Sequence, residues 1–372
     1  MPIFMDRHDI QSQVTPEDVA NLHVQDLKIQ DQFNCRALTY WFDEVRQTAF
    51  CLIEAPDEQS IIDLHTHAHG EVPHQVIAVE ASIVESFLGR IEDPEKAQNA
   101  ELNIINDPAF RTIMIVDIKQ QPVVPNNQPA SNRYRQVLLS LLDTHDGKLV
   151  RQANGRFLIS FQSVTKAVHA AIQINLSLKN IRTTDKPLLK ITLSAGVPVT
   201  ENNLIFADAI KMAERMCKVV KGEIILAADV KNLYDSENAD ALNANAYICC
   251  LTKTDEQFMN ILMDQVELSW NNTSLKVDDL GRSLGFSKSQ LYRKMIQLTG
   301  ESPNNFIHEY RLSEALTLLS KQLNNVSEIA FETGFTSPSY FSKCFRKKYG
   351  HFPSHYLPAK QGYTSARADY AV

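Results

Sequence analysis

The sequence predicts a multidomain α+β protein that ends in an all-helical module. Three observations carry this. The first 85 residues read β-α-β-β-α-β, residues 109–250 again alternate apolar runs with helical patterns, and residues 258–360 keep helical periodicity and contain a repeat. At 372 residues the chain has the length of two or three domains. With 44% hydrophobic residues, 12 Gly and 15 Pro, it is neither disordered nor collagen-like.

The first segment opens on the apolar strand Ile3-Phe4-Met5. A helix follows at Thr15-Pro16-Glu17-Asp18, with Thr15 as N-cap and acids at the positive end of the helix dipole. Arg36–Glu44 and Thr48–Glu54 read as strands around a turn at Val45-Arg46-Gln47, a second helix runs from Pro56-Asp57-Glu58 to about His69, and Gln75–Val79 is the last strand. This order predicts a ferredoxin-like sandwich over 1–85. Residues 86–108 are polar and read as a connector.

In the second segment, 109–250, Thr112–Val116 is a continuous apolar run, as in a buried strand. Gln120–Ala130 reads as a loop and Arg133–His145 as a helix. Leu149–Phe161 is a strand pair turning at Ala153-Asn154-Gly155-Arg156, followed by a helix at Val164–Leu178, a strand at Leu188–Val199, a helix at Phe206–Val220 and a strand at Glu223–Ala227.

The third segment contains the repeat. Val277-x-x-Leu280-x4-Gly285-Phe286 recurs as Val326-x-x-Ile329-x4-Gly334-Phe335, and Ser287-x-Ser289-x-Leu291-x-Arg293-x-Met295 as Ser337-x-Ser339-x-Phe341-x-Lys343-x-Phe345. Thr336 is one extra residue in the second turn. Each copy reads as a helix-turn-helix. Leu291, Met295 and Leu298 share one helix face, as do Phe341 and Phe345. The opposite faces carry Ser289 and Arg293, then Ser339, Lys343 and Arg346, small hydroxyls and cations suited to a major groove.

Charge agrees. Residues 261–372 hold 13 Lys+Arg against 10 Asp+Glu, on a chain whose net charge is −7. A mildly basic end on an acidic body points to a polyanion partner for that end only.

The run from Ser327-Glu328-Ile329-Ala330 through Thr333-Gly334-Phe335 and Tyr340-Phe341 to Phe345-Arg346-Lys347-Lys348-Tyr349-Gly350-His351-Phe352-Pro353 closely resembles the AraC/XylS family DNA-binding domain. Tyr310-Arg311-Leu312, Ala315 and Leu318-Leu319 fit its linking helix. The resemblance implies double-stranded DNA as partner and two recognition helices in successive major grooves. By motif position it assigns Ser289, Tyr292 and Arg293 to base edges in the first copy, and Ser339, Tyr340 and Lys343 in the second, with Arg346 beside them.

Six of the 11 His precede residue 75: His8, His23, His65, His67, His69 and His74. His65 and His69, at i and i+4, can meet one metal ion from one helix face, and His8 and His23 can approach from the first strand and helix. His67 lies about 160° away on the helical wheel. Ordinary surface histidines are the alternative. Asp6-x-His8, Val14-Thr15-Pro16-Glu17-Asp18-Val19, His23, Asp26, Tyr40-Trp41-Phe42-Asp43-Glu44, Phe50-Cys51-Leu52-Ile53-Glu54-Ala55-Pro56 and His65…His69-Gly70 resemble a small bacterial family of nickel-binding ferredoxin-like domains. That resemblance implies Ni(II) at His8, His23, His65 and His69, and a homodimer.

The order of elements in the middle segment, with Val116-Asp117-Ile118, Ala213-Glu214-Arg215-Met216 and Gly222-Glu223-Ile224-Ile225-Leu226, resembles a class III nucleotide cyclase domain. Cyclases hold two metal ions with two carboxylates. Asp117 matches the first, but Gly155 stands where the second belongs, and Lys211 replaces the ribose-orienting Asn. No catalytic residues are therefore assigned.

The resulting expectation is a cytoplasmic AraC-type transcription regulator, not an enzyme. It binds a specific DNA sequence and senses Ni(II) or a small-molecule effector through its N-terminal domains. The rivals are a cyclase-like enzyme and a metal-binding protein with an accessory DNA-binding domain. No secretory signal is expected from Met1-Pro2-Ile3-Phe4-Met5-Asp6, and no run of about 18 apolar residues predicts a membrane span. The scattered Cys35, Cys51, Cys217, Cys249, Cys250 and Cys344 suit reduced thiols.

Overall fold

A computed structural model describes residues 1–10, 14–94, 102–119, 128–181, 188–238, 247–321 and 325–357. The chain divides into two compact units. Among the described residues, one comprises those up to Lys119 together with Gln128–Met259, and the other begins at Asn260.

The first unit begins with β1 (Ile3–Asp9), α1 (Pro16–Ile29), β2 (Arg36–Asp43), β3 (Thr48–Glu54), α2 (Glu58–Ala68) and β4 (Gln75–Val79). The sheet order is β2-β3-β1-β4 and every pair is antiparallel, which is the expected ferredoxin-like topology. Local sequence fixes the ends. Thr15 and Asp18 form a capping box on α1, and Asp57 accepts from the Ser60 amide at the start of α2. β1 runs four residues beyond the short strand expected, through Asp6 and His8.

This sheet is apolar on both faces. On one, Phe4 and Ile53 pack with Ile61 and Leu64 of α2, and Tyr40 and Phe42 pack with Val19 and Ala20 of α1. On the other, Met5, Trp41, Phe50, Leu52 and Ile77 join a core that continues into the next part of the chain.

That part comprises α3 (Ala81–Leu88), β5 (Arg111–Lys119), α4 (Gln128–Thr144), β6 (Lys148–Ala153), β7 (Arg156–Phe161), α5 (Val164–Lys179), β8 (Leu188–Gly196), α6 (Ala207–Val219), β9 (Ile224–Leu226), α7 (Ala228–Glu237) and β10 (Ile248–Cys250). The second sheet has the order β10-β9-β8-β5-β7-β6. Its β8-β5-β7-β6 core repeats the β4-β1-β3-β2 arrangement of the first, and β9 and β10 extend it in parallel. Val84, Phe87 and Leu88 of α3, Ile113 and Ile115 of β5, Leu158, Phe206, and Ala209, Ala213 and Cys217 of α6 meet the first sheet in the one shared core.

The domains expected at 1–85 and 109–250 therefore share a core on one face of the first sheet, while the other face packs on α1 and α2. The described part of residues 86–108 is not a solvated connector. Phe87, Leu88 and Ile105 are buried, and the Phe42 amide donates to the Asp107 carbonyl. Most of the loop expected at 120–130 lies outside the described residues, but α4 already includes Gln128.

A further helix, α8 (Lys253–Ser269), spans the division between the units. The second unit then has α9 (Val277–Ser283), α10 (Lys288–Thr299), α11 (Pro303–Lys321), α12 (Val326–Glu332) and α13 (Pro338–Tyr349). The repeat is structural. Gly285 and Gly334 take φ of +72° and +78° in equivalent turns, and the Phe286 and Phe335 amides donate to Gly281 and Ala330 at 2.9 Å. Phe341 and Phe345 of α13 fill a core with Leu312, Ala315, Leu319, Ile329 and Ala330. Among the described residues no helix is long and apolar enough to cross a membrane.

Candidate metal centre and nucleic-acid interface

Strand alternation sends Asp6 and His8 of β1 to the same side as Phe4, under the helices. Helical spacing brings Asp26 of α1 and His65 and His69 of α2 to meet them. His65 Nε2 lies 2.9 Å from Asp6 Oδ2, and its Nδ1 lies 3.1 Å from Asp26 Oδ1 and 3.2 Å from His69 Nε2. His69 Nε2 is 3.2 Å from Asp26 Oδ1, and His8 Nε2 is 3.4 Å from Asp6 Oδ1. The Cys51 amide of β3 donates to Asp6 Oδ1 at 2.9 Å. Asp6, Asp26 and His65 are each at most 2% exposed.

The charges are strongly coupled. Burial opposes a charged His65, but its hydrogen bonds to Asp26 and Asp6 outweigh burial and raise its pKa to about 10. Burial also opposes the two carboxylates, yet the His8 and His65 charges hold Asp6 far below the usual carboxylate range, and hydrogen bonds from His65 and His69 lower Asp26. Burial, with Asp6 nearby, pushes the Cys51 thiol well up. Burial lowers His23 against the pull of Asp93 and Asp26.

Two donor sets result, Asp6, His8, Cys51 and His65, and Asp26, His65 and His69. Within each set the ligand atoms lie within 4.8 Å of one another. Imidazole nitrogens with carboxylate oxygens suit a divalent transition metal such as nickel. The His8 Nε2 atom is buried without a hydrogen-bond partner, which leaves its lone pair available to a cation. On this chemistry the residues fit the metal.

Of the four histidines expected as ligands, His8, His65 and His69 fall in these sets. His23 lies in neither. It is 3.8 Å from Asp93, with its ring centroid 5.0 Å from that of Tyr40. His67 is exposed, as its place on the wheel requires, and His74 accepts from the Asp9 amide at 3.1 Å. A histidine count overlooks the acids Asp6 and Asp26 and the thiol Cys51. The signals were present: Asp6 shares a strand face with His8, and Asp26 lies about one helical turn from His23.

In the second unit, Ser287 and Gln290 form a capping box on α10, and Ser337 accepts from the Tyr340 amide at the start of α13. Each cap leaves one helix face outward. Ser289, Tyr292 and Arg293 on α10, and Ser339, Tyr340, Lys343 and Arg346 on α13, are all exposed. The Arg346 guanidinium lies 4.6 Å over the Phe352 ring. Arg282 and Lys288 pair with Asp279 and Asp278, whereas Arg293 and Lys343 have no carboxylate partner among the described residues.

In the second sheet, Asp117 is buried at the end of β5. It is the cross-strand partner of Arg156 on one side and Lys190 on the other. Arg156 and Lys119 pair with it at 3.3 and 3.4 Å, and Cys217 Sγ donates to it at 3.6 Å. Lys211 is exposed and Arg215 is buried.

Comparison with known proteins gives two matches along the chain. Residues 4–79 match the family described as "Nickel responsive protein SCO4226-like", and residues 280–359 match the family described as "Helix-turn-helix domain". The histidine kinase P4 of Formosa agariphila is 39% identical over 106 residues, covering 28% of this chain and 8% of that protein. The HTH-type transcriptional regulator MtrA of Neisseria gonorrhoeae is 32% identical over 95 residues, 26% of this chain and 30% of that protein. The chain thus spans less than a third of either relative. The crystal structure of SCO4226 from Streptomyces coelicolor is 26% identical with a TM-score of 0.20, covering 21% of this chain and 94% of that one. Residues 280–359 thus match a helix-turn-helix family, and residues 4–79 match the SCO4226-like family, each over less than a quarter of the chain.

Proposed function

We propose that this chain is a transcription regulator that binds a specific double-stranded DNA sequence through its second unit and senses Ni(II) through its first. The observation that carries the DNA reading is the duplicated helix-turn-helix, whose α10 and α13 each present an exposed cation, Arg293 and Lys343, without a carboxylate partner among the described residues. Such cations beside small hydroxyls match the donor pattern that reads base edges. Ser289, Tyr292 and Arg293 read one half of the site; Ser339, Tyr340 and Lys343 read the other, with Arg346 beside them.

Ni(II) is held by Asp6, His8, Cys51 and His65, or by Asp26, His65 and His69. A bound ion would supply positive charge beside Asp6 and Asp26, and His65 would ligate it as a neutral imidazole. A homodimer through the outer face of the first sheet is disfavoured, since Met5, Trp41, Phe50 and Leu52 are already covered within the chain.

The second sheet serves as a structural or ligand-binding partner, not as a cyclase. The Arg156 and Lys119 cations neutralise the one carboxylate, Asp117, that a two-metal site would share. The test is selection of binding sites from random duplexes, followed by gel shift at one fixed salt concentration, with and without NiCl2. Sequence-selective binding that Ni(II) changes about tenfold or more, roughly 1.4 kcal/mol of coupling, supports the reading. Binding that is equal on all duplexes overturns it.

A further inference from the structure

The polypeptide between α3 and β5 lies against the first sheet at several points. Arg90 donates to the Tyr40 carbonyl at 2.6 Å and to the Thr39 hydroxyl, and its guanidinium sits 4.3 Å over the Trp41 ring. Tyr40 Oη donates to the Asn103 carbonyl at 2.6 Å and accepts from the Ile105 amide at 2.8 Å. Asn103 Nδ2 donates to the Asp93 carboxylate. These contacts fix Asp93 beside α1, where its Oδ2 lies 3.8 Å from His23 Nε2.

His23 is 3% exposed, and neither ring nitrogen has a hydrogen-bond partner. An imidazole buried this way loses its hydration and needs a hydrogen-bond or ligand partner to offset that cost. Its Nε2 faces a carboxylate and its Nδ1 is left over. Asp26, a member of the Asp26, His65 and His69 donor set, lies about one helical turn further along the same helix. A ligating histidine commonly donates its other N–H to a carboxylate, which fixes the tautomer and aims the free nitrogen at the metal.

We infer that Asp93 is a positioning residue of the metal centre: it takes the Nε2–H of His23, so that His23 Nδ1 becomes a further nitrogen donor to the ion held at Asp26, His65 and His69. Asp93 lies beyond residues 4–79, so the carboxylate is added by the stretch that leads into β5. This inference rests on the proposed sensing role. Further along towards β5, the Asp107 carbonyl accepts from the Phe42 amide and Ala109 enters the shared core.

The test is Ni(II) titration calorimetry on the full-length protein, with Co(II) absorption as a second readout of the ligand field. The variants are H23Q, D93N, D93E and the H23Q/D93N pair. D93S is made in parallel, so that a variant that does not fold leaves the cycle intact. D93N weakens Ni(II) about 10- to 100-fold and moves the Co(II) bands, D93E recovers most of the affinity, and D93N adds no further loss to H23Q. Unchanged affinity in D93N and D93S, or losses that add fully in the double variant, overturn the inference while leaving the sensing role in place. Wild-type protein that takes up neither metal overturns the sensing role and this inference together.

Discussion

Arg156 is the direct antiparallel partner of Asp117, and its guanidinium lies 3.3 Å from the Asp117 carboxylate. A cation from the chain itself thus neutralises the one matching carboxylate, next to Gly155, where a two-metal site would need its second acid. The turn before it, Asn154-Gly155, has φ of +50° and +78°, as in a two-residue type I′ hairpin. With MnATP or MnGTP the protein releases no pyrophosphate and forms no cyclic nucleotide; turnover of either would overturn the non-enzymatic reading.

Restoring an acid at position 155 does not restore the site. A Cβ there would come within 2.6 Å of the Ile118 carbonyl oxygen, at a φ that side chains rarely adopt. Gly155→Asp therefore destabilises the first unit by about 1–3 kcal/mol, the usual cost of such a strained residue. Chemical denaturation against wild type measures this, and an unchanged midpoint would show that the hairpin relaxes freely.

His65 is the group shared by both donor sets. Replacing it by Ala abolishes tight Ni(II) binding, whereas His69→Ala leaves the Asp6, His8, Cys51 and His65 set intact and only weakens it. The apo protein also suffers. Without the imidazolium, Asp6 and Asp26 are left as buried carboxylates missing their main partner, at an expected cost of about 3–5 kcal/mol. Denaturation of apo His65→Ala checks the second effect, and equilibrium dialysis with Ni(II) checks the first.

What was legible in the sequence follows the range of each signal. The cap at Thr15, the helix start at Asp57 and the turn at Asn154-Gly155 are local, and all three appear where the residues require them. The repeat in the second unit was legible because Gly285 and Gly334 mark equivalent turns. The shared core was not. Trp41, Phe50 and Leu52 lie on the sheet face opposite Tyr40 and Cys51, and an alternating strand with both faces apolar says only that something covers the second face. That the cover is Phe87, Ile113 and Phe206 depends on contacts distant in sequence. The acids of the candidate donor sets were missed for a related reason: histidines stand out in a count, whereas Asp6 and Asp26 join them only once three elements converge.

The shared core predicts that the SCO4226-like segment is not independent. A fragment covering residues 1–80 would expose Met5, Trp41, Phe50, Leu52 and Ile77 together, an apolar patch of the kind that drives association. Size-exclusion chromatography should find this fragment self-associated or unfolded, while residues 1–259 run as a folded unit. A monomeric, cooperatively folded 1–80 fragment would contradict the shared core.

His308 sets a pH limit on the second unit. Its ring packs 5.4 Å from Phe335 and 6.1 Å from Tyr340. Burial, with Arg311, Lys348 and Lys347 nearby, lowers its pKa from 6.5 despite the opposing charge of Glu309. The unfolded chain therefore binds this proton before the folded one does. The stability from neutral His308 is fully present above 6.5 and declines as pH falls from there towards the lowered folded value. His308→Phe keeps the ring packing and removes the titration. The stability difference between variant and wild type therefore grows in favour of the variant over that pH window, and parallel curves would rule the assignment out.

Arg293 and Lys343 separate base reading from phosphate binding. Both are exposed without a carboxylate partner among the described residues, on the helices that carry Ser289 and Ser339. If each reads a base, Arg293→Ala and Lys343→Ala each cost about 1–3 kcal/mol on the selected duplex and little on unrelated sequence. Lys347, on the outward side of α13 near its end, serves as the contrast. Lys347→Ala weakens binding about equally on every duplex and lowers the salt dependence by about one counterion, as loss of a phosphate contact does. Fluorescence anisotropy at several salt concentrations resolves the two patterns. Should Arg293→Ala and Lys343→Ala behave like Lys347→Ala, sequence is read by other groups on these helices, with Tyr292 and Tyr340 the next to test.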